Sequence, residues 1–251
     1  MSSKDYMQRY YPESKFGGFT DQDGTIAFFM HVNSLINPGD TVLDIGCGRG
    51  EYAEDKVSIR RNLRSLKGKC NKVIGIDVDA VAESNPCIDE FSLITDTRWP
   101  IADASIDLCL SDFVVEHLPD PDAFFAEAFR VLKPGGYLCL RTSNVLGYVG
   151  IGSRLIPNKY HASIVGKIQD NRKEEDVFPT YYRCNTVWKL NGFLKKHGFD
   201  GCAYGYDSEP NYLSFSRIAY YFGTLYQKLV PQAFKVAIIA YGQKTGSNQR
   251  S

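Results

Sequence analysis

The sequence predicts an α/β fold: a mostly parallel sheet with helices on both faces. Three observations predict it. Short apolar runs (TVLDIG, KVIGIDVD, FSLITD, SIDLCLSD, YLCLRTS) recur between helical patterns, as buried parallel strands do. Glycines 46, 48 and 50 follow the first run directly, where a strand turns sharply into the next segment. Acids close three consecutive runs at Asp44, Asp77 and Asp96, placing polar groups at the carboxyl edge where open α/β sheets bind ligands.

Residues 1–24 read as an irregular N-terminal arm. A helix is expected from Thr25 to Leu35, ended by NPGD. The first strand is TVLDIG, followed by a helix in DKVSIRRNLRSLKGK with Val57, Ile59, Leu63 and Leu66 as its apolar side. Strands KVIGIDVD, FSLITD and SIDLCLSD come next. Asp120 caps and Pro121 opens a helix whose buried stripe is Phe124, Phe125, Ala128, Val131 and Leu132. PGG breaks the chain before YLCLRTS. Residues 144–184 show no clean period, and so long an irregular stretch in a compact domain points to function. NTVWKLNGFLKKHGF is a helix capped near Asn185 and stopped by Gly198. CAYGYD and KVAIIAYGQK are strands. Between them, SRIAYYFGTLYQKLVP carries Ile218, Tyr221, Phe222, Leu225, Tyr226 and Leu229 as a helical stripe, expected to serve as core or as a dimer surface, with a membrane-interface role as the alternative.

Composition narrows the classes. The 251 residues suit one domain divided as an arm (1–24), a ligand-binding core (25–143), an insertion (144–184) and a C-terminal part (185–251) with the amphipathic insertion at about 213–231. Lys plus Arg and Asp plus Glu number 29 each, so no strong field recruits nucleic acid. The seven cysteines are scattered with no Cys-x-x-Cys pair, which predicts free thiols in a reducing compartment and no zinc site. No secretory leader is read at the N-terminus, and no apolar run approaches the roughly 18 residues of a membrane span. The expected location is cytoplasmic, with peripheral contact at the inner membrane face as the alternative.

The glycine spacing is Gly-x-Gly-x-Gly with Glu51 behind it, so the dinucleotide fingerprint fails at its last glycine. Asp44 does not suit a pyrophosphate but suits a ligand with a cationic group. Asp77 is placed to bond ribose hydroxyls, and Asp96 to accept from an adenine amine. The motifs VLDIGCGRG, GIDVD, SIDLCLSDFVVEHLPDP and FRVLKPGGYLCLRTSN resemble the class I S-adenosylmethionine-dependent methyltransferases (methyltransferase type 11-like) over about residues 40–144. The resemblance implies a Rossmann-like, seven-stranded sheet with an antiparallel last strand, and S-adenosyl-L-methionine as methyl donor. Position by position it implies that Asp44, Gly46, Cys47, Gly48 and Gly50 border the methionine part. It places Asp77 and Val78 at the ribose, Asp96 and Thr97 at the adenine, and Ser111 and Asp112 beneath the sulfonium. Similar enzymes that bind metal use Glu-x-x-Glu-His; Glu116 and His117 match, but the first position is Phe113, so no metal is expected.

The flanks RYYPESKFGGFTDQDGT, RTSNVLGY and DVFPTYYRCNT resemble methyltransferases of bacterial polysaccharide and glycoconjugate assembly, which implies a sugar hydroxyl or lipid-linked glycan as acceptor. An alcohol acceptor gains from a general base. The candidates are His117 beside the expected cofactor, His161 in the insertion, and Asp112 or Glu116. Tyr160, Tyr181, Tyr182, Arg183 and Asn185 are the candidate acceptor contacts, and Phe16 to Phe19 a candidate lid. A phenolic, quinone or lipid acceptor, or a non-catalytic assembly subunit, are the competing readings.

Overall fold

The computed structural model describes residues 3–155 and 179–246. Among them runs a seven-stranded sheet: β1 (Thr41–Ile45), β2 (Lys72–Asp77), β3 (Glu90–Leu93), β4 (Ile106–Asp112), β5 (Leu132–Ser143), β6 (Phe199–Tyr206) and β7 (Ala237–Lys244). The strand order is β3-β2-β1-β4-β5-β7-β6. β1 pairs in parallel with both β2 and β4, so the order reverses there and opens a crevice at the strands' carboxyl ends. β7 runs antiparallel to β5 and β6.

The central strands are apolar on both faces because both faces are covered. One core gathers Leu43, Ile45, Ile106, Leu138 and Leu140 with Phe124, Phe125 and Val131 of α4 (Pro121–Val131). The opposite core gathers Val42, Leu108, Leu110 and Cys139 with Phe28, Phe29 and Val32 of α2 (Gly24–Leu35). Asp23 caps α2 by accepting from the N–H groups of Thr25 and Ile26. Asp120 accepts from Ala123 to cap α4, with Pro121 in its first turn, as the sequence predicts.

Several elements differ from expectation. The N-terminal arm is not irregular: α1 (Ser3–Tyr10) forms and packs the Tyr6 and Tyr10 rings against Tyr220. The helix after the glycine turn shrinks to α3 (Ser58–Arg64), leaving Leu66 buried beyond its end. β5 begins ahead of the PGG break, and Gly135 at φ 82 carries a register shift against β4. Part of the irregular stretch is helical, α5 (Tyr148–Leu155). Thr186, not Asn185, caps α6 (Val187–Lys196). The apolar stripe of α7 (Arg217–Leu229) is not core: Tyr220, Gly223 and Thr224 face inward instead.

A buried asparagine joins the end of β5 to the segment before β7. The Asn144 amide donates to the Ala233 and Lys235 carbonyls at 2.9 and 2.7 Å, and its Oδ1 accepts from the Leu146 N–H. Asn144→Ala leaves both carbonyls without that donor. It is expected to lower stability by about 2–3 kcal/mol, read as a lower urea midpoint at unchanged slope.

Candidate functional site

A cavity of about 1050 Å³ opens at the carboxyl ends of β1, β2 and β4. Its floor is the glycine turn. Gly46, Gly48 and Gly50 take φ of 70, 53 and 73°, a conformation that side chains disfavour. The surroundings explain two of them further. A Cβ on Gly46 would come within 2.4 Å of Val114, and one on Gly50 within 2.2 Å of Asn85. A Cβ on Gly48 would meet no protein atom within 4 Å, so the turn's middle faces open space.

Two polar side chains fix the turn. Asp77 accepts the Gly48 N–H on one carboxylate oxygen and the Asp79 N–H on the other, each at 3.0 Å. Asn85 donates to the Cys47 and Gly48 carbonyls. Asp77 therefore stands at the cavity edge with its orientation set by backbone. Val78, Asp96 and Thr97 line the same end, where Asp96 accepts from the Thr97 N–H at 2.6 Å.

The other end is built on charge. Arg141 of β5 donates to both Asp112 oxygens at 2.7 and 2.8 Å and to Thr25 Oγ1 at 3.0 Å. Arg64 approaches Asp112 at 3.3 Å and lies over the Tyr52 ring. Burial opposes ionisation of Asp112, but the Arg141 guanidinium, helped by Arg64, holds its carboxyl below the ordinary value. Asp44 behaves oppositely. Burial first, then the Asp112 charge, pushes its pKa up to about 7 against the pull of Arg64. Burial likewise pushes the Cys47 thiol up to about 12.

His117 lies on the short turn after β4 and lines the cavity. Its Nδ1 is 3.0 Å from the Pro179 carbonyl oxygen. A carbonyl only accepts, so Nδ1 carries a proton and donates it there. Phe113 and Tyr181 form the wall beside it, 43% and 47% exposed. Phe113 sits at φ 58, a strained conformation for an aromatic residue.

Among the sequence candidates, Asp44, Gly46, Cys47, Gly48, Gly50, Asp77, Val78, Asp96, Thr97, Asp112, His117 and Tyr181 all line this cavity. Others do not. Ser111 is fully buried, and strand alternation turns it away while Leu110 and Asp112 face the cavity. Asn185 is buried and donates to Thr142 Oγ1 and the Ser143 carbonyl, a structural role. Tyr182 and Arg183 lie off the cavity; Arg183 belongs with Asp122 and Lys189 on a neighbouring surface. Phe16 to Phe19 do not reach it, so they form no lid in this conformation. Asp112 is unsuited as a base, because both its oxygens already accept from guanidinium groups. Glu116 is also unsuited: it is buried and accepts from Thr142 and Ser143 hydroxyls. Tyr160 and His161 fall outside the described residues. Sequence reasoning missed Arg64, Arg141, Thr25 and Tyr52; the available signal for Arg141 was one cation inside an apolar strand.

Residues 43–140 match a methyltransferase domain family. Over that segment, which is less than half of the chain, the protein is similar to this family. Over 145 residues the chain is 34% identical to an uncharacterized methyltransferase of Mycobacterium sp. strain KMS, covering 55% of this chain and 54% of that protein. It is 29% identical over 110 residues to a malonyl-[acyl-carrier protein] O-methyltransferase of Serratia marcescens, covering 42% of this chain and 39% of that one. The chain spans from 22% to 54% of the length of such curated relatives. A solved SAM-dependent methyltransferase of Thermotoga maritima shares the fold at 16% identity, with a TM-score of 0.55 over 96% of this chain and 98% of that one. Phosphoethanolamine N-methyltransferase 2 of Haemonchus contortus, solved with S-adenosyl-L-methionine, gives a TM-score of 0.52 at 17% identity, over 98% of this chain and 60% of that one.

The residues lining the cavity fit S-adenosyl-L-methionine. The open face at Gly48 admits close backbone approach, and Asp77 keeps acceptor capacity for hydroxyls beyond its two N–H partners. Asp44 offers a carboxylate that a cationic ligand would ionise. The Asp44 shift has a sign that can be checked. The native state binds a proton that the unfolded chain releases between about pH 4 and 7, so stability falls as pH rises through that window. Asp44→Asn removes this penalty. Its Tm should exceed that of the parent by about 5 °C or more at about pH 8 and converge with it near pH 4. A parent more stable than the variant at pH 8 would mean that Asp44 is ionised and paired in the free protein.

Proposed function

We propose that the chain is an S-adenosylmethionine-dependent O-methyltransferase whose acceptor is a hydroxyl of a carbohydrate, carried on a glycan or glycoconjugate. The observation that carries the oxygen acceptor is His117: it lines the cavity, and its Nδ1 is held by the Pro179 carbonyl. Bound on the glycine turn, S-adenosylmethionine supplies an electrophilic methyl group. The chain's own residues do the rest. Gly48 and Asp77 hold the donor end, and His117 Nε2 removes the acceptor hydroxyl proton as the oxygen becomes a nucleophile.

The carbohydrate reading has two supports. Phe113 and Tyr181 present exposed aromatic faces beside His117, and such faces suit the C–H surfaces of a sugar ring. The flanking segments resemble glycoconjugate methyltransferases. The malonyl-[acyl-carrier protein] relative is an O-methyltransferase by name, in keeping with transfer to oxygen.

The acceptor is identified by incubating the protein with methyl-labelled donor and extracted glycans and lipids, then locating the label by mass analysis. Label on a sugar oxygen is the expected result; label confined to nitrogen, or to a molecule without sugar, rejects the carbohydrate assignment. With that acceptor in hand, His117→Ala should lower kcat by about 10²–10⁴-fold while donor affinity stays within about threefold. Parental turnover in the variant would remove His117 as the base.

A further inference from the structure

The second half of the chain carries a surface that the catalytic cavity does not use. α7 buries its small and polar side: Tyr220, Gly223 and Thr224 pack inward, and Gln227 donates to the Asp207 carbonyl. Its apolar stripe points outward. Ile218 is 70% exposed, Phe222 59% and Leu229 72%, with Leu225 between them. At 3.6 residues per turn these side chains and Tyr221 share an arc of about 100°. Phe215, 73% exposed, precedes the helix, and exposed Phe234 follows it. So much apolar surface on one helix face is unusual for a surface left in water.

The charges indicate what covers it. From Pro210 to Gly246 the chain has no Asp or Glu, while Arg217, Lys228, Lys235 and Lys244 are cationic. Arg217 and Lys228 are exposed and fall on the same flank of the stripe, eleven residues apart. The nearest acids in sequence, Asp207 and Glu209, are buried. α1, docked on α7, carries Lys4, Asp5 and Arg9, a net charge of one positive unit. A second copy of this face would bring like charges together with no exposed carboxylate on α7 to pair them. An anionic bilayer matches both parts: headgroups for the cations, and the acyl boundary for the phenylalanines and leucines, with Tyr212 and Tyr221 at the level between.

We propose that α7 and its flanking residues Phe215 and Phe234 dock the protein on an anionic membrane surface, the helix lying in the plane of the headgroups. The proposal stands independently of the acceptor assigned above.

The test is co-sedimentation of the full chain with vesicles of phosphatidylcholine alone or of phosphatidylcholine with about one-third phosphatidylglycerol. Binding to the anionic vesicles that weakens as salt is raised is expected. Phe222→Asp/Leu229→Asp should weaken it by tenfold or more. So should Arg217→Glu/Lys228→Glu, which alters exposed cations only and keeps the helix's buried side intact. Both variants should retain the parental far-ultraviolet circular dichroism and Tm. Absence of sedimentation with either vesicle overturns the proposal. So does equal binding to both vesicles, or a concentration-dependent dimer in ultracentrifugation that Phe222→Asp/Leu229→Asp dissolves.

Discussion

The paired carboxylate of Asp112 sets the electrostatics of the whole crevice. It ends β4, and both its oxygens are held by Arg141 from the neighbouring β5. Arg141 reaches on to Thr25 in α2, and Arg64 comes from α3, so one ion pair joins two strands and two helices. Aromatic rings seal it: Arg141 lies over Phe28 and Phe113, and Arg64 over Tyr52. Burying charge at this depth is tolerable because every charge has a partner. The consequence falls on Asp44, one strand away. Both guanidinium groups bind Asp112, so Asp44, already disfavoured as an anion by burial, also meets the Asp112 charge with only partial relief from Arg64, and its pKa rises to about 7. The crevice therefore holds more carboxylate than it neutralises, and that excess favours a cationic ligand at Asp44.

Glu116 does for the opposite wall what Asp112 does for the floor. Its carboxylate accepts from Thr142 and Ser143 at the end of β5, and its backbone carbonyl accepts from the Tyr181 and Tyr182 N–H groups. Asn185 closes the network through Thr142. His117 is the next residue, and Pro179, its partner, lies two residues before Tyr181, where Glu116 anchors the segment. The position of His117 thus depends on a buried acid that never faces the cavity. The positive φ of Phe113 belongs to the same turn, whose first N–H is taken by the Arg141 carbonyl. Strain there is offset by hydrogen bonds on both sides of it.

The parts legible in the sequence were those with local signatures. Apolar runs gave the strands, Asp120 with Pro121 gave the start of α4, and alternate glycines gave the turn. Asp77 and Asp96 were legible because strand-end position alone puts them at the crevice. Ser111 and Asn185 were not. In a strand buried on both faces every residue is flanked by apolar neighbours, so pattern does not reveal which side Ser111 takes. Asn185 bonds Thr142, 43 positions earlier, and no local rule reports such a contact. α7 shows a different limit. Periodicity located its stripe correctly but says nothing about which side meets the protein. Tyr220, Gly223 and Thr224 supply the inward contact, with the Tyr6 and Tyr10 rings of the arm packed against Tyr220.

These dependencies separate the two ends of the crevice. The glycine turn takes its hydrogen bonds from Ile76, Asp77 and Asn85, all within the β1–β3 part of the chain. The wall at His117 takes its shape from Thr25, Arg141, Glu116 and Pro179, drawn from four separated segments. Side chains exposed on that wall, Phe113 and Tyr181, make no hydrogen bond that holds Gly48 or Asp77. A change of side chain at either position reshapes one end and leaves the other's hydrogen bonds in place. The exception is Arg141, which lines the crevice and fixes Asp112, whose charge adds to burial in raising the pKa of Asp44. That one cation is where the chemistry of the two ends is coupled, and it is the residue whose replacement no local adjustment can absorb.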